Sequence, residues 1–462
     1  MTASLLAALL LASPLQLAPE TGLPAASAAQ GQYGAVIVQT DPSQTAVAVM
    51  LRFPNGSAQD EEGREGTAHL LAEVMEAEAT RQLAQRPIRV GFEATRDEFL
   101  VSLLAPPGQW RAGLSTVTEL LADAPLPEGA LERARDNQLA RLMFEAGAPV
   151  RSFELERVRL VRGTGSPASR PVEGTFASLR DIALSDLEAF RSRHLDVGAA
   201  IAAVVGPVSA DEAAAVLPGE VRSVSARSPF READPPEPTP PQPAGTDTLQ
   251  VTAAELPAPP RTRLHRGTLP SLGVPSSPRG SPAWSEGDRR EMDREVTSIW
   301  FAVAWPFPPG TPRTLLEFLA LTLEEGLVGS PPEPGLYGAE TEVQVLDDQP
   351  ILILSVSADP RQAARWEERT LQGMEDVVES PPEGSFFDLS RRRFRNQVLL
   401  NMAGPLERSR WLARTLAETG EIPDPQAEIW GLTREGLAEA AAAAGPPRTL
   451  VLGPLDMMRG HR

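Results

Sequence analysis

Apolar positions recur along this chain at two spacings, every second residue and every third or fourth, and the change from one to the other lays out the elements. Residues 34–39 and 45–53 read as strands joined by the turn Asp41-Pro42-Ser43-Gln44. Residues 63–85 carry Ala68, Leu71, Ala72 and Met75 at helical spacing and end ahead of Pro87, which predicts a helix. A strand pair follows at 88–94 and 98–104 around Thr95-Arg96-Asp97. Helices are predicted at 109–122, 127–145, 150–161 and 187–194, and the apolar run 199–206 closes the series as a strand.

The same order then recurs. Residues 295–305 read as a strand, 314–327 as a helix, and 337–345 with 350–357 as a strand pair around Asp347-Asp348. Helices are predicted at 360–378, 387–401, 406–418 and 434–444, and a last strand at 448–453. That strand ends in Gly453-Pro454, as the first series ends in Gly206-Pro207. The fold class expected is α+β, with two homologous domains at 30–221 and 295–462. Each is a mainly antiparallel sheet with helices packed on one face. Between them, 222–294 is rich in Pro, Ser and Gly, as in Pro235-Pro236-Glu237-Pro238, and reads as an extended linker. Within it, 248–254 is a candidate first strand of the second domain, and His265, among Arg residues, reads as solvated.

Candidate chemistry centres on Gly63-Arg64-Glu65-Gly66-Thr67-Ala68-His69-Leu70-Leu71-Ala72-Glu73-Val74. His69 and Glu73 lie four residues apart and share a helix face. This stretch resembles the start of the zinc-motif helix in the pitrilysin/insulinase-type zinc peptidases, which include mitochondrial processing peptidase. Their motif is His-x-x-Glu-His, introduced by Gly-[Ser/Thr]-Ala. Two His at that spacing reach one zinc, and the Glu between them takes a proton from the zinc-bound water. Here Gly66-Thr67-Ala68-His69 matches, but Ala72 stands at the base position and Glu73 at the second His. The resemblance places the third ligand, a Glu, on a later helix. The matching stretch, residues 131–141, puts Arg141 there. One ligand of three survives, and no zinc or other cofactor is expected.

The resemblance extends to Gly174-Thr175, to the helix ending at His194 and to the strand ending at Gly206. His194 reads as structural, since no ligand partner lies at metal spacing. Two such domains facing each other as a clamshell are what the resemblance implies. It also implies that the edge strand near 88–94 receives peptide substrate as an added strand. The family usually has Asn-Ala in that edge, and this chain has Glu93-Ala94. In the second half, the substrate-holding Arg and Tyr of active relatives fall on Pro331 and Gly338. Tyr337, one residue away, reads as a strand residue at the cleft in preference to a remnant.

Composition changes the picture at three points. The net charge of −19 disfavours nucleic acid and anionic membrane as partners. There is no Cys, which excludes disulfides and thiolate zinc sites, and no Lys, so every basic side chain is Arg or His. Residues 1–29 read as a signal peptide or disordered leader, with the apolar run 4–12 and the small-residue site Ala26-Ser27-Ala28, so a periplasmic or secreted location is expected. No later stretch has the length and hydropathy of a membrane span.

The function expected is a non-catalytic homologue that acts as partner or substrate-clamp subunit of an active zinc peptidase, with peptides as further candidate ligands. The alternative is a stand-alone binding or scaffold protein of the same fold. An active metalloendopeptidase with rearranged ligands is disfavoured, because His194 is the only other His of the first domain. Loss of a divalent cation would leave Glu73 unpartnered. Arg141 is therefore expected to reach Glu73 or Glu76, with His69 beside it. The competing expectation turns Arg141 to solvent along with Arg133 and Arg135.

Overall fold

The computed structural model describes residues 33–122, 124–145, 147–224, 289–329, 333–346 and 348–459. The leader, the candidate strand at 248–254, His265 and Pro331 lie outside the described residues.

The first half runs β1 (Tyr33–Thr40), β2 (Val47–Phe53), α1 (Thr67–Gln82), β3 (Arg89–Ala94), β4 (Phe99–Ala105), α2 (Trp110–Leu121), α3 (Glu128–Glu145), α4 (Pro149–Arg162), α5 (Phe176–Asp181), α6 (Leu184–His194), β5 (Ile201–Gly206), α7 (Ala210–Ala214) and β6 (Gly219–Val224). The second half runs β7 (Arg289–Asp293), β8 (Ile299–Pro306), α8 (Arg313–Val328), β9 (Leu336–Leu346), β10 (Gln349–Ala358), α9 (Ala363–Glu379), α10 (Gly384–Asn401), α11 (Pro405–Thr419), α12 (Pro425–Trp430), α13 (Arg434–Ala442), β11 (Arg448–Gly453) and α14 (Leu455–Arg459). β6 runs three residues into the stretch read as linker, and β7 lies wholly within it.

The two sheets have one topology. The first is ordered β3-β4-β2-β5-β1-β6 and the second β9-β10-β8-β11-β7, so they match strand for strand except for the added β6. Hairpin strands pair antiparallel, as do β2 with β5 and β8 with β11. The strands that open and close each half run parallel, Ala35 opposite Ile201 and Thr449 opposite Arg289. The chain is thus α+β, with two domains of the expected kind.

The second face of each sheet has a cover that the strand pattern alone does not name. β2 is buried at every position. Val47, Val49, Leu51 and Phe53 pack towards α1. Met50 turns the other way and meets Leu412, Ala413 and Leu416 of α11, which belongs to the opposite half. The exchange is mutual. Ala302, Ala304, Ile351 and Ile353 of the second sheet pack against Phe153, Leu160 and Val161 of α4. Polar bonds fasten both exchanged helices. Arg408 of α11 donates to Asp41 Oδ2 at 2.8 Å, and Arg448 of β11 donates to the Leu160 carbonyl of α4 at 2.9 Å. Among the described residues, no helix is long and apolar enough to cross a membrane.

Candidate functional site

The site is set by how α1 begins. The chain leaves β2 and enters the helix through Gly66, whose φ of 99° favours glycine. Gly174, φ 78°, lies against it, and a Cβ at Gly174 would stand 2.3 Å from the Glu65 carbonyl. Ser178 Oγ then donates to that carbonyl at 2.8 Å. The two Gly-Thr motifs, more than a hundred residues apart, are therefore two sides of one close backbone contact.

Asp60 caps the helix from the preceding loop. Its Oδ2 accepts the Gly66 N–H at 2.8 Å and its Oδ1 accepts the Ala68 N–H at 3.0 Å. These are amides that the first turn leaves unpaired. Burial pushes the Asp60 pKa up to about 7, against those two bonds. A raised carboxyl pKa means that the folded chain holds a proton that the unfolded chain has lost. The stabilisation is therefore full below the ordinary value of 3.8, falls as the pH rises, and is gone above about 7. Glu98, buried against Arg52 at 2.6 Å, has its pKa pushed by burial to about 7 and acts in the same direction. Urea unfolding should accordingly show a more stable chain at pH 6 than at pH 8. Asp60→Asn should narrow that gap by about 1 kcal/mol; an unchanged gap would assign the pH dependence elsewhere.

On the next turns of α1, His69 and Glu73 meet two residues of α3. Arg141 Nη2 donates to Glu73 Oε1. His69 Nε2 lies 3.6 Å from the same Glu73 oxygen and 3.3 Å from Gln138 Oε1. Both oxygens can accept from Nε2 in the tautomer that protonates it. Burial raises the Glu73 pKa, but the hydrogen bond and charge of His69, and then the charge of Arg141, outweigh it and hold the carboxylate below its ordinary range. The Glu73 side chain is 21% exposed and that of Arg141 53%. The pair therefore sits at a rim, where an ion pair contributes about 0–1 kcal/mol. Ala72, 2% exposed, packs into the core beneath.

Of the expected site residues, His69, Glu73 and Arg141 come together, and Arg141 chooses Glu73 over Glu76. Gln138 was not anticipated, although it precedes Arg141 by three residues on the same helix and so shares its face. This donor set does not fit a zinc ion, because the Arg141 guanidinium occupies the Glu73 carboxylate that would ligate it. Among the described residues, no group of three His, Asp or Glu side chains is placed to hold a metal.

The remaining candidates lie elsewhere. β3 and β9 are edge strands. Glu93 of β3 turns towards α11 and pairs with Arg410 at 2.7 Å, while Ala94 is buried in the core. Tyr337 of β9 is 59% exposed. The His194 ring packs 4.7 Å from that of Phe190, and burial followed by the Arg193 charge lowers its pKa.

No family model and no curated protein matches the chain. Solved structures do match it. One is a peptidase M16 inactive domain from Pseudomonas fluorescens, with TM-score 0.64 and 15% identity over 93% of this chain and 97% of that one. Another is a protease from Helicobacter pylori, with TM-score 0.66 and 13% identity over 90% and 96%. A third is a chain of complex III2 from Candida albicans, with TM-score 0.65 and 10% identity over 92% and 94%. What the chain shares with all three is the fold, along nearly its whole length.

Proposed function

We propose that this chain is a non-catalytic homologue of the insulinase-type zinc peptidases and works beside an active homologue as its partner subunit. One observation carries the reading. Where the resemblance calls for three zinc ligands and a base, the chain holds an Arg141–Glu73 ion pair above a buried Ala72. Neither zinc nor another cofactor takes part. The reading puts the protein in the periplasm or outside the cell, on the strength of its leader. Any peptide contact falls along the edge strands that carry Glu93, Ala94 and Tyr337. The complex III2 chain of the same fold supports a second reading, a scaffold in a larger assembly.

The test is metal analysis and a peptidase assay on purified protein, alone and mixed with the intact-motif homologue of its source. Substoichiometric zinc, no cleavage alone, and co-elution with the homologue are expected. Chelator-sensitive cleavage by the homogeneous chain would refute the non-catalytic reading. A chain that runs alone and alters no homologue's activity would leave the scaffold reading in its place.

A further inference from the structure

α10 has an inner apolar side and an outer one. Phe387, Ser390 and Phe394 are buried on the inner side, and the two rings stand 5.5 and 5.6 Å from that of Phe318 on α8. On the outer side Phe386, Leu389, Arg393, Asn396 and Leu400 follow one another at alternate steps of three and four. All five are exposed, Leu400 by 73%. Alternate steps of three and four are the spacing of a coiled-coil seam, the line along which one helix lies on another. This seam is apolar at both ends and polar in the middle.

The middle is cationic. Arg391 and Arg395 stack on the Trp430 ring of α12, their guanidinium carbons 5.0 and 5.6 Å from its centre. Arg393 donates to Glu325 at 3.0 Å. Arg392 is exposed beside the seam, and among the described residues no carboxylate pairs with it. The one carboxylate of the helix, Asp388, accepts from Arg391 at 2.9 Å. The outer face is therefore free of acid, in a chain whose net charge is −19. A second copy laid on this seam in either direction would bring Arg392 and Arg393 against their own counterparts, and like charges set face to face repel. An acidic helix would meet them with charge of the opposite sign.

We infer that the outer face of α10 docks a helix of another protein, one that is apolar at its two ends and acidic at its centre. Phe386 and Leu389 anchor one end of it and Leu400 the other, while Arg392 and Arg393 fix its register through glutamate or aspartate. A scaffold would use this face as readily as a partner subunit, so the inference does not depend on the partner-subunit role.

Leu389 and Arg392 are exposed, so their replacement leaves the core intact. The probe is a fluorescein-labelled helical peptide of three heptads, followed by fluorescence anisotropy against the full chain. It has leucine at the seam positions of the outer two heptads and glutamate at and beside the seam of the middle one. Its counterpart carries lysine for each glutamate. The unaltered chain should bind the acidic peptide roughly tenfold more tightly than the lysine peptide. The net charge of the whole chain favours the opposite order, so only a local cationic face gives this result. Leu389→Asp should weaken the acidic peptide roughly tenfold, and Arg392→Glu should bring the two peptides to within roughly twofold of each other. Bound acidic peptide should slow amide exchange in Gly384–Asn401. Equal binding of the two peptides by the unaltered chain, or binding of neither, would overturn the inference. So would protection that appears outside α10, or self-association that Leu389→Asp abolishes, which would give the face to a second copy.

Discussion

Replacing Arg408 with Ala is expected to lower the unfolding free energy of the chain by about 3–5 kcal/mol. Arg408 is 4% exposed and its whole guanidinium is engaged. Nη1 donates to Asp41 Oδ2 at 2.8 Å, Nε to the Met402 carbonyl at 3.1 Å and Nη2 to the Ala403 carbonyl at 3.4 Å. Burial would raise the Asp41 pKa, but bonds from Ser43, Arg408 and Gln44 bring it down to about 2. Without the cation, that carboxylate and two carbonyls lose a buried donor. The loss falls on α11, which covers Ile37, Met50, Leu100, Ala203 and Val205. Urea unfolding measures the effect, and proteolysis within α11 should quicken alongside it. Arg408→Lys keeps the charge and loses the fork, so it should fall between. A loss under about 1 kcal/mol in Arg408→Ala would mean that apolar contacts alone dock the helix.

The pair Glu73→His with Arg141→Glu is expected to create a zinc site, with an apparent Kd of ~1 μM or below, about 8 kcal/mol of binding. His69 and a His four residues on would share one face of α1, and a carboxylate would replace the guanidinium that now reaches that face from α3. Zinc competition against a chromogenic chelator reads the result. Peptide cleavage should require Ala72→Glu as well, since no other side chain stands at the base position. If the pair binds no more zinc than the unaltered chain, then α1 and α3 do not approach as a metal site requires. The ion pair would then be no stand-in for one.

The sequence carried most of this arrangement in its spacing. The helices longer than about eight residues and most strands, down to the six-residue β3, β5 and β11, were legible because their apolar positions keep one spacing. The charged β6 and β7 and the short helices α5, α7, α12 and α14 were not, since few apolar positions mark them. The meeting of Arg141 with Glu73 was legible from charge and from the resemblance. Its place at a rim was not, because exposure depends on what lies above α3. Gln138 was not legible, because it acts through one bond to a distant element. The partner of β2's second face was hidden by distance. Its near-continuous apolar run, Val47–Phe53, shows that both faces are covered. The residue that fastens the cover, Arg408, lies 367 positions from its carboxylate.

That separation bears on what counts as a unit in this molecule. By sequence the chain divides cleanly, since each half holds a complete sheet with its own helices. By thermodynamics it does not. α4 belongs to the first half in connectivity and to the second in burial, and α11 the reverse, so each half unfolds with an apolar sheet face stripped of its roof. The arrangement is that of an intramolecular segment exchange, in which two pseudo-equivalent modules trade one helix each. The cooperative unit of folding is therefore the full pair, and an ancestral single module with this topology would have needed a second copy of itself to be stable.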